Sequence, residues 1–181
     1  GLLPVVAITT TAGTGTEADP WTVITNEETK EKIGFGNQDT FPTLSVVDPK
    51  LMLSVPPRLT AYQGFDALFH CLEGYIANIA TPISDMYALR SIELVSQCIA
   101  NGDNLEARTN VALANTYAGF VQTESSCTSE HSMEHALSAF YPELPHGAGL
   151  ILLSDAYFTF FSTKIPHRFA MMAKAMGVDV D

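Results

Sequence analysis

Basic residues are scarce in this chain. Its 181 residues include nine Lys and Arg against 20 Asp and Glu, which gives a formal net charge of −11. A surface of that sign repels nucleic acid phosphates and anionic lipid headgroups. We therefore expect no nucleic acid partner and no membrane partner.

Cysteine and long apolar runs are also scarce. The three cysteines are widely spaced and form no CxxC pair, which favours reduced thiols in a cytoplasmic protein over a disulfide framework. No stretch reaches the ~18 apolar residues of a membrane span, and the start, GLLPVVAITT, lacks the basic segment of a signal peptide. With 46% hydrophobic residues the chain is able to form a packed core. We expect a soluble, cytoplasmic protein, and we expect that this sequence begins part-way along its gene.

The chain changes character near residue 57. Before it, β-rich runs predict a buried strand at 4–10, a hairpin from 21–25 and 32–35, and a further strand at 43–47. After Pro56-Pro57 the pattern is helical from Thr60, where Thr60 and Gln63 are spaced as a capping box, and Thr81-Pro82 reads as the start of the next helix. Further helices are predicted at about 83–100, 105–122, 127–140, 146–161 and 165–176. The sequence thus predicts a β-containing part over 1–57 and an α-helical domain over 58–181.

Four of the five histidines fall into a spaced pattern with one aspartate. The pattern consists of Asp66 with His70, His131 with His135, and His146 in a Pro-His-Gly turn. Residues at i and i+4 share a helix face, so two facing helices would bring several imidazoles and one carboxylate together. A lone helical histidine is usually a partly buried packing residue, but two such pairs and a turn histidine favour a metal site. Imidazole with carboxylate suits Fe(II), Zn(II), Mn(II) or Co(II).

Two other motifs allow more than one interpretation. The segment His131-Ser132-Met133-Glu134-His135 fits the H-x-x-E-H pattern of zinc proteases, in which Glu134 would be the general base. That interpretation gives no role to Asp66, His70 or His146. The loop Gly13-Thr14-Gly15 lacks the Lys of a P-loop and the third Gly of a dinucleotide fingerprint, and is either a simple turn or a phosphate- or ribose-binding loop.

Six segments of the chain resemble the iron-containing (group III) alcohol dehydrogenases. They are TTTAGTGTEA (9–18), DPKLMLSVPP (48–57), TAYQGFDALFHCLEGYI (60–76), Thr81-Pro82 with Asp85, HSMEHALSAF (131–140) and PHGAGLILL (145–153). The resemblance implies a mainly α fold, namely a multi-helix metal-binding C-terminal domain preceded by a small β portion of a Rossmann-like cofactor domain, in a dehydroquinate synthase-like architecture. Family members are longer and begin with a dinucleotide-binding half that is absent here.

The resemblance also implies roles for individual residues. Asp66, His70, His131 and His146 match the metal ligands, and His135 matches a catalytic histidine beside the nicotinamide. Thr10, Thr11, Thr14, Lys32 and Leu59 match positions that contact the cofactor. Fe(II) is the expected ion and Zn(II) the second choice, with NAD or NADP as the cofactor. We expect a homodimer or higher homo-oligomer.

The implied reaction interconverts a small alcohol and its aldehyde or ketone by hydride transfer. A divalent ion would act as a Lewis acid, and His135, with a pKa near neutral, would relay the proton. Two alternatives remain open: the zinc hydrolase built on the H-x-x-E-H segment, and a metal-binding remnant without turnover. Because the cofactor half is missing, we expect these 181 residues alone to be inactive.

Overall fold

Six helices and four short strands make up the described part of the computed structural model, residues 3–101 and 104–180. The strands are β1 (Val6–Ile8), β2 (Thr22–Asn26), β3 (Glu31–Phe35) and β4 (Leu44–Val46). The helices are α1 (Pro57–Ile76), α2 (Pro82–Asn101), α3 (Leu105–Ser125), α4 (Glu130–Phe140), α5 (His146–Ser162) and α6 (Pro166–Ala175). Short 3-10 turns occupy Gln38–Thr40 and Pro49–Met52. The predicted mainly α fold with a small β portion is confirmed, whereas the domain boundary at residue 57 remains a prediction.

The starts of α1 and α2 are set by different capping interactions. Pro57 begins α1, where its fixed φ suits the first turn. The predicted capping box at Thr60 and Gln63 is wrong, because Gln63 Oε1 instead accepts the backbone N–H of Ala12 at 3.3 Å. The prediction for α2 is confirmed: the Thr81 N–H donates to Ser84 Oγ at 2.8 Å, and the Ser84 N–H donates to Thr81 Oγ1 at 3.2 Å.

The strands form two separate pairs. β1 runs parallel to β4, with Val6 opposite Leu44, and β2 pairs antiparallel with β3 as the sequence predicts. The prediction that the first strand is buried is wrong: Val6 and Ile8 are each 57% exposed. Among the described residues β1 pairs only with β4, and this two-stranded pair lacks the cover on both faces that buries the strands of a larger parallel sheet.

The helical core forms around α1, which packs against α2, α3 and α5. Ala67 of α1, Ile92 of α2, Val121 of α3 and Leu150 of α5 are fully buried there. Because α1 packs on these neighbours through its buried side chains, its rotation about its own axis is fixed, and so is the direction of its other side chains. None of the helices in the described ranges is long and apolar enough to cross a lipid bilayer.

The loop between β1 and β2 is held tightly on α3. Gly15 has a positive φ of 68°, and a Cβ there would lie 2.7 Å from the backbone nitrogen of Gly119. The Gly15 N–H donates to Asn115 Oδ1 at 2.9 Å, and Gln122 Nε2 donates to the Thr14 carbonyl at 2.9 Å. The loop is therefore fixed on α3, and the hydrogen bond from the Ala12 N–H to Gln63 also joins it to α1.

Candidate metal centre

Three helices bring the predicted ligands to one buried carboxylate oxygen. His131 Nε2 lies 3.3 Å, His146 Nε2 3.4 Å and His70 Nδ1 3.5 Å from Asp66 Oδ1. Asp66 and His70 lie one turn apart on α1, His131 lies in the first turn of α4, and His146 is the first residue of α5. Residues that are 65 to 80 positions apart in the sequence thus share one site because the helices pack as they do.

The four side chains are not all equally close to one another. Asp66, His131 and His146 offer donor atoms that lie within 4.8 Å of one another. His70 is stacked on His131, with ring centroids 4.0 Å apart, and shares a second set of donors with Cys127 and His131 under the same limit. His131 therefore belongs to both sets.

Glu73 fixes the orientation of His131. Glu73 is fully buried, and its Oε1 accepts hydrogen bonds from His131 Nδ1 and from the His131 backbone N–H, the latter at 3.0 Å. Its Oε2 accepts the Glu130 N–H at 3.0 Å and the Thr128 hydroxyl at 2.7 Å. The carboxylate thus also caps the amino end of α4, where Ser129 makes no side-chain cap. With Nδ1 donating to Glu73, the Nε2 of His131 is left free to bind an ion.

Glu134 does the same for His146. His146 Nδ1 donates to Glu134 Oε2, and this leaves His146 Nε2 directed at Asp66. Lys32 of β3 lies beside this pair, with its Nζ 3.8 Å from Glu134 Oε2 and donating to Ser138 Oγ at 2.9 Å. Glu134 is therefore a positioning residue for His146.

Sequence reasoning missed Glu73, although a signal was present. It lies seven residues after Asp66 and three after His70, so all three share one face of α1. A carboxylate on the buried side of an apolar helix requires a partner, because burying an unpaired charge is costly. Glu130 was missed as well: it is fully buried, neither carboxylate oxygen has a hydrogen-bond partner, and burial raises its pKa to about 8.

The electrostatics of the cluster favour a cation. Burial alone would raise the pKa of Asp66, but His70, His131 and His146 together hold it well below its ordinary value. Burial lowers the pKa of His70 to about 3, whereas Cys127, Asp66 and Glu73 outweigh burial and raise the pKa of His131. An ionised carboxylate surrounded by imidazoles is a suitable donor set for a divalent metal.

His135 differs from the expectation on one point. Burial lowers its pKa to about 4, and the charge of Lys32 and the neighbouring His146 act in the same direction. The expected near-neutral pKa of His135 is therefore wrong, and the imidazole is uncharged at neutral pH. Its ring lies 5.5 Å from that of His146 between centroids.

A cavity of about 670 Å³ opens onto this cluster. Its walls include Asp66, His70, Cys127, His131, His135 and His146, and also Thr14 and Lys32. Among the five predicted cofactor contacts, Thr14 and Lys32 thus face the cavity. Thr10 and Thr11 are exposed earlier in the same loop, and Leu59 is 43% exposed in the first turn of α1; none of these three lines the cavity.

The geometry does not support the zinc protease interpretation. The rings of His131 and His135 lie 6.5 Å apart between centroids at an interplanar angle of 83°. Within residues 3–101 and 104–180, no set of three donor atoms that lie within 4.8 Å of one another contains both His131 and His135. Glu134, the supposed general base, is hydrogen-bonded to His146.

Comparison with known proteins identifies the family. Residues 60–181 match the Fe-containing alcohol dehydrogenase family, C-terminal, and residues 1–49 match iron-containing alcohol dehydrogenase. The 1,3-propanediol dehydrogenase of Klebsiella pneumoniae is 37% identical over 99% of this chain and 47% of its own length. The NAD-dependent methanol dehydrogenase of Bacillus methanolicus is 36% identical over 99% of this chain and 48% of its own length.

Solved structures agree with the sequence comparison. An archaeal halo-thermophilic Red Sea brine pool alcohol dehydrogenase superimposes with a TM-score of 0.93 at 38% identity, over 99% of this chain and 46% of that one. A 1,3-propanediol oxidoreductase gives a TM-score of 0.91 at 37% identity, over 98% of this chain and 47% of that one. The chain thus spans about half the length of the relatives it matches. It belongs to the iron-containing alcohol dehydrogenase family.

Proposed function

We propose that the whole protein interconverts a small alcohol and its aldehyde or ketone by hydride transfer with NAD or NADP. In this proposal Asp66, His70, His131 and His146 hold Fe(II), with Zn(II) as the second choice. The observation that carries it is the arrangement of three imidazole nitrogens within 3.5 Å of Asp66 Oδ1. The substrates of the relatives support the class, since they are named for propanediol and methanol.

The donor spacing fits a divalent ion. In a tetrahedral site with metal–ligand bonds of about 2.1 Å, two donors lie about 3.4 Å apart. The separations of 3.3 and 3.4 Å from Asp66 Oδ1 to the Nε2 atoms of His131 and His146 have this value. When bound, the ion supplies a Lewis acid for the substrate oxygen, and the nicotinamide supplies the hydride acceptor.

The residues of this chain then have separate tasks. Glu73 and Glu134 hold His131 and His146 in the tautomer that directs Nε2 toward Asp66. Lys32 and Thr14 lie on the cavity wall, where a nicotinamide ribose and phosphate would approach. Thr10, Thr11 and Leu59 remain predicted cofactor contacts.

His135 is suited to accept the alcohol proton during oxidation. Its imidazole is uncharged at neutral pH, because burial and the charge of Lys32 lower its pKa to about 4. It lines the cavity at a ring distance of 5.5 Å from His146. An uncharged imidazole has a free lone pair that can accept a proton and pass it to solvent, but a pKa of about 4 makes it a weaker base than one whose pKa lies near the operating pH.

Three broader assignments accompany the proposal. Residues 1–57 would belong to the cofactor-binding domain and residues 58–181 to the metal and substrate domain. The three cysteines are all free thiols, which supports a cytoplasmic location. Leu152 and Phe160 of α5 are 69% and 60% exposed, which supports burial in a homodimer or higher homo-oligomer.

The test is alcohol-dependent reduction of NAD or NADP by the whole protein, purified anaerobically and loaded with Fe(II). His146→Ala should bring turnover down to the level of the metal-free protein. The matched control is His167→Ala, an exposed histidine of α6, which should retain wild-type turnover. Equal turnover of the two variants would contradict the proposal.

Glu134→Gln separates this proposal from a hydrolase. A glutamine there loses the charge that holds His146, so alcohol oxidation should slow together with metal retention. Metal-dependent peptide cleavage by the wild-type protein that Glu134→Gln abolishes would instead favour the hydrolase.

A further inference from the structure

Cys127 lies beside the metal centre and has no task in the proposed reaction. It sits in the connection between α3 and α4, is half-buried, and lines the cavity. Its Sγ and one donor nitrogen each from His70 and His131 lie within 4.8 Å of one another. The other two thiols differ, because Cys71 and Cys98 are packed in hydrophobic clusters.

A second observation points to a ligand at this position. His70 is only 6% exposed, and its Nδ1 makes no hydrogen bond, although Asp66 Oδ1 lies 3.5 Å away. Leaving a buried imidazole nitrogen unsatisfied is costly, so such a group normally has a partner. The Cys127 Sγ lies within 4.8 Å of a ring nitrogen of His131, and His70 is stacked on that ring.

The two donor sets cannot be filled at once by separate ions. His131 belongs to both, and Glu73 occupies its Nδ1, so only Nε2 is available. One ion therefore sits either toward Asp66 and His146 or toward Cys127, and His70 lies within reach of both positions. The chemistry of the ion decides between these positions: carboxylate oxygen favours harder ions, and thiolate sulfur favours softer ions such as Zn(II).

We propose that Cys127, His70 and His131 form a second coordination set that captures soft divalent ions, Zn(II) among them, at the expense of Fe(II) binding beside Asp66. On binding, the thiol S–H bond breaks, a sulfur–metal bond forms, and the proton passes to solvent; no electron is transferred. Thiolate sulfur and imidazole nitrogen are both ligands that Zn(II) takes in proteins. The inference rests on the proposed function in that it shares His70 and His131 with the iron site.

The test uses Cd(II) as a soft, spectroscopically visible probe on the whole apoprotein. A thiolate-to-cadmium charge-transfer absorption should appear in the ultraviolet and saturate at about one ion per chain. It should be abolished in Cys127→Ser and retained in the double variant Cys71→Ala/Cys98→Ser, in which Cys127 is the only one of the chain's three cysteines left. The Zn(II) affinity of Cys127→Ser should fall at least about tenfold, the smallest loss typical even for residues that merely support a ligand.

The outcomes distinguish this inference from the proposed function. Cd(II) binding without the charge-transfer absorption, or an absorption that survives in Cys127→Ser, would overturn the Cys127 set and leave the Asp66 set intact. A normal absorption in a protein whose Fe(II) binding is unaffected by Asp66→Asn would support the Cys127 set and contradict the iron site.

Discussion

Glu73→Gln is the change that best separates the supporting carboxylates from the ligands. Glutamine has nearly the same volume but lacks the negative charge, and its NH₂ group cannot accept a hydrogen bond. Glu73 accepts four hydrogen bonds, from His131 Nδ1, the His131 and Glu130 amides and the Thr128 hydroxyl. At least one of these donors would then face another donor.

The expected loss follows from the role of Glu73. Replacing a carboxylate that orients a ligand histidine typically lowers metal affinity about 10- to 100-fold, which corresponds to about 1.4–2.8 kcal/mol. Glu73 also caps α4, so the free energy of unfolding of the metal-free protein should fall by about 1 kcal/mol.

The assay is competition for Zn(II) between the whole apoprotein and a chromophoric chelator, together with urea unfolding of the apoprotein. Glu124→Gln is the control, since Glu124 is exposed on α3 and should leave both quantities unchanged. An affinity within twofold of wild type for Glu73→Gln would refute the argument that this carboxylate supports His131.

Two further predictions concern the loop and its neighbours. Gly119→Ala should destabilise the whole protein by about 1–3 kcal/mol in urea unfolding, because the new Cβ would lie 2.3 Å from the Gly15 carbonyl oxygen. In the control Gly64→Ala the new Cβ meets nothing nearer than 3.9 Å, so this change should be neutral or slightly stabilising. Similar losses of stability in both variants would contradict the packing described. Asp19→Asn should stabilise the protein by about 2 kcal/mol at pH 8. Burial raises the pKa of Asp19 to about 7, so ionising this carboxyl in the folded protein costs about 4 kcal/mol, which the substitution removes. The buried amide that replaces it lacks one hydrogen-bond partner, and this cancels about half of the gain. A carboxyl with a raised pKa costs most stability above its folded value, so this gain should shrink as the pH is lowered from 8 toward 4, and a gain that grew on acidification would contradict the assignment.

The sequence predicted the elements whose signals are local. The hairpin of β2 and β3 and the start of α2 at Thr81-Pro82 follow from turn and capping chemistry within a few residues. The capping box at Thr60 failed because Gln63 pairs with Ala12, a residue 51 positions away. Spacing alone cannot show which of two hydrogen-bond partners a side chain will choose.

The site shows the same limit. The i, i+4 pairs identified Asp66, His70 and His131, and the structure brings them together with His146. The sequence did not identify Glu73 as the carboxylate that orients His131, because the two residues meet only through the packing of α1 against the start of α4. The lowered pKa of His135 likewise depends on burial and on Lys32, which comes from a distant strand.

The most direct test of the account is anomalous diffraction at the iron edge from crystals of the whole protein, grown anaerobically with Fe(II). The account predicts one peak per chain, with Asp66 Oδ1 and the Nε2 atoms of His131 and His146 within about 2.0–2.4 Å of it and His70 moved in to complete the set. An iron peak elsewhere, or no iron bound at these residues in a protein that still oxidises alcohols, would contradict it.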